Sequence, residues 1–229
     1  MTDSQSHELI LRMAELARNV ALQSVDGVLA DVTSAALELI PEADTAGILL
    51  VSKNSSFESL AATSDLPHKL DELQMEYDEG PCRQAALQDV VVRTDDFRNE
   101  PRWPQYSPAA LELGVLSGLS FKLYTADRTA GALNLFSFHP NVWSSDAETV
   151  GSALAAHAAA AILASRQTEE LHSALSTRDR IGQAKGIVME RFNVDAVQAF
   201  ALLRRLSQDS NTRLVDIADQ VINTRGPAE

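Results

Sequence analysis

The sequence predicts an α+β domain, an antiparallel sheet flanked by helices, joined by a long helix to a small all-α unit of three helices. Three observations predict it. Short β-type runs with turn signals between them occupy residues 45–140. No proline falls between Pro140 and Pro227, and a helical stripe begins at Val150. Three short amphipathic patterns, with start and stop signals of their own, fill the end of the chain.

The elements follow in order. Residues 6–24 have helical apolar spacing at Leu9, Leu11, Met13, Leu16 and Val20. A second helix, 26–40, carries Val28, Val32, Ala35, Ala36 and Leu39 and stops before Pro41. The apolar run 45–51 reads as a strand, followed by a polar turn, and 57–64 pairs back on it. A polar helix over 67–76 comes next. Gly80 precedes Pro81, which suits the first position of a helix because its missing N–H has no intrahelical partner there. Residues 89–97 read as a strand. Residues 107–114 read as a short helix with Ser107 as N-cap and Gly114 as stop. The runs 116–125 and 130–139 flank the turn Ala126-Asp127-Arg128 and form a hairpin, with Ser117, Leu119, Phe121 and Leu123 on one face.

A long helix then starts at "SDAE", where Ser145 and Glu148 fit the capping-box pattern. Val150, Leu154, His157, Ala161, Ala164, Thr168, Leu171 and Leu175 alternate by four and three, a heptad stripe. It fits either a helix packed on its own sheet or a dimer seam. The last unit has a helix over 178–192 with Ile181, Ala184, Val188 and Phe192 on one face. Asn193 is its left-handed stop. Asp195 and Gln198 then box the start of a helix over 196–208, whose expected core face is Val197, Phe200 and Leu203 with the Ala201–Leu202 pair. "DSNT" (209–212) is a loop able to cap a third helix, 213–223, which Gly226 and Pro227 end.

Charge divides the chain. Residues 1–175 hold 25 Asp/Glu against 11 Lys/Arg, whereas 176–229 hold 7 against 8. The net charge of −13 argues against indiscriminate nucleic-acid binding, and only the last quarter escapes the acidity. A single cysteine, Cys82, excludes a disulfide within the chain and a multi-thiolate metal site. Cys82 reads as a buried apolar residue or as a thiol activated at a helix N-terminus. No metal-binding, phosphate-loop or nucleophile motif occurs, so no catalytic residue, metal or cofactor is expected and the chain is not read as an enzyme. The sequence reads as having no apolar run that approaches a membrane span and no secretory signal, so a cytoplasmic protein without membrane contact is expected.

Two resemblances complete the reading. "RIGQAKGIVMERF" (180–192) with "AFALLRRLSQDSNTRLVDIA" (199–218) resembles the ANTAR domain of bacterial antitermination regulators, over about 176–224. "DEGPCRQAAL" (78–87), "RWPQYSPAALELGVLSGLSFKL" (102–123) and "GALNLFSFHP" (131–140) resemble a GAF domain of the kind that precedes ANTAR in actinobacterial regulators. The resemblance implies a GAF sensor over 1–165, a helical linker over 166–177 and an ANTAR RNA-binding domain over 178–229. It implies a signal-responsive antitermination regulator that binds paired hairpins in nascent leader RNA, with a small-molecule ligand in the GAF domain and a homodimer as expected partners. Gln183, Lys185, Gly186, Arg204, Arg205, Thr212 and Arg213 are the candidate RNA contacts. For Gly182 and Gly186 two readings stand: close approach of RNA beside Lys185, or close packing of another helix. The alternatives are a DNA-binding regulator, or a signalling module that binds a ligand or protein. The acids and the Asn-Lys pair of cyclic-nucleotide GAF domains are absent.

Overall fold

A computed structural model describes residues 3–19, 23–52, 57–87, 89–123 and 129–224. Val20, the turns expected at 53–56 and 126–128, and the Gly226–Pro227 stop lie outside the described residues. The chain divides into two units, Met1–Ser165 and Arg166–Glu229.

The first unit orders as α1 (Asp3–Asn19), α2 (Val25–Leu39), β1 (Thr45–Ser52), β2 (Phe57–Leu60), α3 (Asp65–Tyr77), α4 (Pro81–Leu87), β3 (Val91–Thr94), α5 (Tyr106–Glu112), β4 (Ser117–Leu123) and β5 (Thr129–Ser137). The five strands form one antiparallel sheet in the order β2-β1-β5-β4-β3. Alternation sends Ile48, Leu50, Leu119, Phe121, Leu133 and Leu135 to one face, where Leu29, Val32, Leu154, Ala158 and Ile162 cover them. Leu49, Ala132 and Phe136 point to the other face, under Leu70, Cys82, Ala85, Trp103 and Tyr106. Both faces are therefore buried, with helices on each.

The long helix, α6 (Ser145–Phe192), begins in the first unit and ends in the second. It approaches the sheet so closely at Gly151 that a Cβ there would lie 2.2 Å from the Phe121 ring. Only glycine allows that approach. In the second unit α6 is followed by α7 (Ala196–Asp209) and α8 (Leu214–Asn223). Its small core is Ala184, Val188, Ala199, Leu203, Ile217 and Ala218. Asn193 takes the expected left-handed conformation, and Asp195 and Gln198 form the complete capping box.

Several expectations are corrected. β2 ends at Leu60, before the left-handed Ala61, and β3 spans only Val91–Thr94 because Phe97 begins a 3-10 turn. Ser107 does not cap α5; it lies inside the helix and is buried, and Gln105 occupies the cap position. The start of α6 is capped one residue earlier than expected, by Ser144 Oγ accepting from the Ala147 amide. Glu148 does not reach back but pairs with Arg93. "DSNT" gives α8 no side-chain cap: Arg213 stands there, while Ser207 and Thr212 hydrogen-bond within the loop. Phe192, Val197, Phe200, Ala201 and Leu202 are exposed; of the expected face of α7 only Leu203 is buried, together with Ala199. The alanine-rich stretch of α6 is in fact long and apolar enough by composition to cross a membrane. Half of that window is buried, with Leu154, Ala158 and Ile162 under the sheet, as in a core helix.

Candidate functional sites: a buried polar cluster and an open helical surface

On the α3–α5 side of the sheet, polar groups collect where the pattern alone would place a core. Asp71 and Gln74, three apart on α3, both face inward and are buried. Gln74 is locked to the start of α4: its Oε1 accepts from the Cys82 amide at 2.9 Å and its Nε2 donates to Cys82 Sγ at 2.8 Å. Gly80 makes this possible. Its φ of +125° favours glycine, and a Cβ there would displace the Gln74 amide from this bond. Ser59 Oγ donates to Asp71 Oδ2 at 2.6 Å, and Cys82 Sγ lies 3.9 Å from Asp71 Oδ1 and 4.0 Å from Ser120 Oγ. Ser120 pairs across the strands with Asn134. The Asn134 amide, the Tyr106 hydroxyl and Ser107 Oγ are buried with no partner among the described residues.

Burial pushes the Asp71 carboxyl up to about 7, against the pull of the hydrogen bonds from Ser59 and Cys82. Burial, and then the charge of Asp71, push the Cys82 thiol well above its ordinary value. The reading of Cys82 as a thiol activated by a helix N-terminus is thus overturned, because desolvation outweighs a dipole that seven residues supply. The cluster holds hydrogen-bonding groups and one carboxyl that titrates near neutrality.

Beside it an open cleft of about 170 Å³ is lined by Asp78, Glu79, Gly80, Arg83, Gln84, Arg102 and Trp103. The Arg102 guanidinium lies 4.4 Å from the centre of the Trp103 ring. Glu79 provides the cap that α5 lacks locally: its Oε2 accepts from the Gln105 amide at 2.8 Å and the Tyr106 amide at 3.0 Å. Among the described residues no group of three potential metal ligands occurs.

The candidate contacts of the second unit lie on different elements. Gln183, Lys185 and Gly186 are on α6, Arg204 and Arg205 on α7, and Thr212 and Arg213 at the α7–α8 junction. Gln183, Gly186, Arg204, Arg205 and Arg213 are exposed; Lys185 and Thr212 are half-buried. A Cβ built on Gly182 or on Gly186 meets nothing within 4 Å. Packing within the chain therefore gives no reason for either glycine, and the packing reading survives only for a partner outside it.

The cations also differ. Arg213 is held by Asp216 at 2.8 Å, Arg205 lies 3.7 Å from Asp209, and Arg180 pairs with Asp219 at 2.7 Å. Lys185 and Arg204 make no ion pair among the described residues. The sequence missed the surroundings of Arg204. Val197 and Phe200, expected in the core, share its side of α7 at i, i+3 and i+7 and are 78% and 42% exposed.

Comparison with known proteins agrees with this architecture. Residues 23–163 match the GAF domain and residues 169–222 match the ANTAR domain. No curated protein matches the chain. Among solved structures, the fold is similar to the GAF domain of a phosphoenolpyruvate-protein phosphotransferase from Coxiella burnetii, at 17% identity and a TM-score of 0.56, covering 71% of this chain and 96% of that one. The corresponding Acinetobacter domain gives 16%, 0.56, 73% and 97%. The free methionine-R-sulfoxide reductase of Neisseria meningitidis gives 17%, 0.53, 73% and 95%. The sensor-side match spans more than half of the sequence: the chain belongs to the GAF family, and the ANTAR domain that follows makes it a GAF–ANTAR regulatory protein.

Proposed function

We propose that this protein is a signal-responsive antitermination regulator in which a GAF sensor, 1–165, controls through a helical linker, 166–177, an ANTAR domain, 178–229, that binds paired hairpins in nascent leader RNA. The observation that carries the reading is the pair of glycines around Lys185. Gly182 and Gly186 each cost the helix about 1 kcal/mol relative to alanine, and a Cβ at either would meet nothing within 4 Å among the described residues. Such a bare surface beside an unpaired lysine suits close approach of a phosphate backbone. Gln183, Arg204, Arg205, Thr212 and Arg213 extend it, with Arg205 and Arg213 released from their exposed acids on contact. Duplex DNA fits less well. The reading helix of a helix-turn-helix would be α8, which carries Asp216 and Asp219 and one described arginine, Arg213, already held by Asp216.

The protein works as a cytoplasmic homodimer in this reading. Leu171 and Leu175, at heptad positions of α6, are 64% and 56% exposed, which suits a coiled-coil seam. The input is a small molecule that engages the α3–α5 side of the GAF sheet. A non-enzymatic role accords with Cys82, the chain's single cysteine, whose thiol is buried and held protonated.

Filter binding of the full chain to two-hairpin leader RNAs tests the reading. Lys185→Ala and Arg204→Ala should each weaken binding and flatten the salt dependence by about 0.7–0.9 in log–log slope, one phosphate contact's worth. Unchanged affinity and slope in both variants would remove the proposed surface.

A further inference from the structure

The outer side of α7 carries Val197, Phe200 and Arg204 in line, with Ala201 between them. Phe200 is a large aromatic exposed on a small unit whose core has no place for it. Arg204, one turn on, has no acid to neutralise it among the described residues, unlike its neighbour Arg205. No acidic residue lies on this side of the helix: Gln208 is next in line, and Asp209 falls on the flank of Arg205. Two occupants would welcome exposed apolar surface here, a second copy of the chain or an unstacked nucleobase. A contact between two copies centred on this ridge would bury Arg204 against an apolar partner surface, with no acid on the ridge to neutralise it. A nucleobase offers a π face to the ring, and its phosphate meets the guanidinium.

We infer that Phe200 and Arg204 form a clamp for one unpaired base of an RNA loop, with Phe200 as stacking platform and Arg204 on the adjoining phosphate. This rests on the RNA-binding reading above and adds a source of loop recognition to it. Lys185 and Gly186 then supply backbone contact, which any hairpin satisfies, whereas the clamp requires an exposed base.

The test uses the full chain and a pool of two-hairpin RNAs with randomised loops, followed by the best-bound members. Phe200→Ala should lose about tenfold in affinity, the scale of one stacked base, with the salt slope unchanged. Phe200→Tyr should bind like the parent. Arg204→Ala should lower the slope by the contribution of one phosphate. An abasic site scanned through the loop should reproduce the tenfold loss at one position, and Phe200→Ala should cost nothing further on that RNA. If the parent protein binds RNA and Phe200→Ala binds equally well, the clamp is wrong and the RNA reading stands. If Phe200→Ala loses RNA only in step with a loss of self-association in sedimentation, the ridge is a contact between copies and the clamp is overturned. If the parent binds no hairpin in the pool, both readings fall.

Discussion

The two units of this protein spend their unusual residues in opposite directions. In the GAF unit they point inward: Asp71, Gln74, Cys82 and Asn134 are buried between sheet and helices, and Gly151 exists to let α6 lie against Phe121. In the ANTAR unit they point outward: Phe200 and Arg204 face solvent, and Gly182 and Gly186, on that same helix α6, adjoin open space. One residue type on one helix thus has two causes. In the first unit glycine answers a neighbour within the chain. In the second it answers no neighbour among the described residues, which is why the proposed RNA surface is built around it. The lesson is that a helical glycine becomes informative about binding only after its own fold has been asked to account for it.

The largest effect that sharpens this contrast concerns the inward side. Asp71 in the folded protein holds its proton up to about pH 7, whereas the unfolded chain releases it near the ordinary value of 3.8. Its contribution to stability is therefore complete below that ordinary value and is lost as pH rises towards 7. Asp71→Asn cannot ionise. Parent stability relative to this variant should fall by up to about 1.4 kcal/mol per pH unit between about pH 4 and 7, then level off. Urea unfolding across that range measures it, and parallel curves for the two proteins would show that Asp71 is not the buried acid described here.

Next comes Gly151→Ala, which forces a methyl into the fully buried Phe121 ring and should cost about 1–3 kcal/mol by overpacking. Gly182→Ala and Gly186→Ala should do the reverse, raising stability by up to about 1 kcal/mol each, while weakening RNA binding. Thermal unfolding of the three single variants decides whether the sign changes along α6. Destabilisation by all three would erase the distinction between the regions. The smallest effect belongs to the exposed pair Arg205–Asp209. Asp209→Ala should shift stability by less than about 0.5 kcal/mol, and a larger loss in urea unfolding would mean that the effector surface is more tightly organised than its exposure implies.

Most of the architecture was legible in the sequence because the strands are short apolar runs bounded by turn signals and the helix stops are left-handed asparagine and glycine. Asn193, Asp195 and Gln198 needed only local backbone rules. Two kinds of feature were not legible. The first is the phase of α7. Apolar residues stand on nearly every side of it, so periodicity gave no unique inward face; the small Ala199 turns inward, in a core that also holds Ala184, and Phe200 is left outside. The second is the buried polar cluster. Asp71 and Gln74 sit in a helix that reads as polar and hence solvated, and only the fold brings them over Cys82 and Ser120. A trace of it was present: Ser120 and Asn134 are polar residues within otherwise apolar strands, on the faces opposite Phe121 and Leu133.

The carboxylate of Glu79 has a consequence for folding order. It caps α5 from 26 residues upstream. A seven-residue helix has too few bonds to hold itself in water, so α5 depends on a closure that only the placed α3–α4 connection supplies. The amide hydrogens of Gln105 and Tyr106 should therefore exchange at a rate set by the opening of residues 78–80. Those two amides are a built-in reporter of whether the wall of the sensor's cleft is in place.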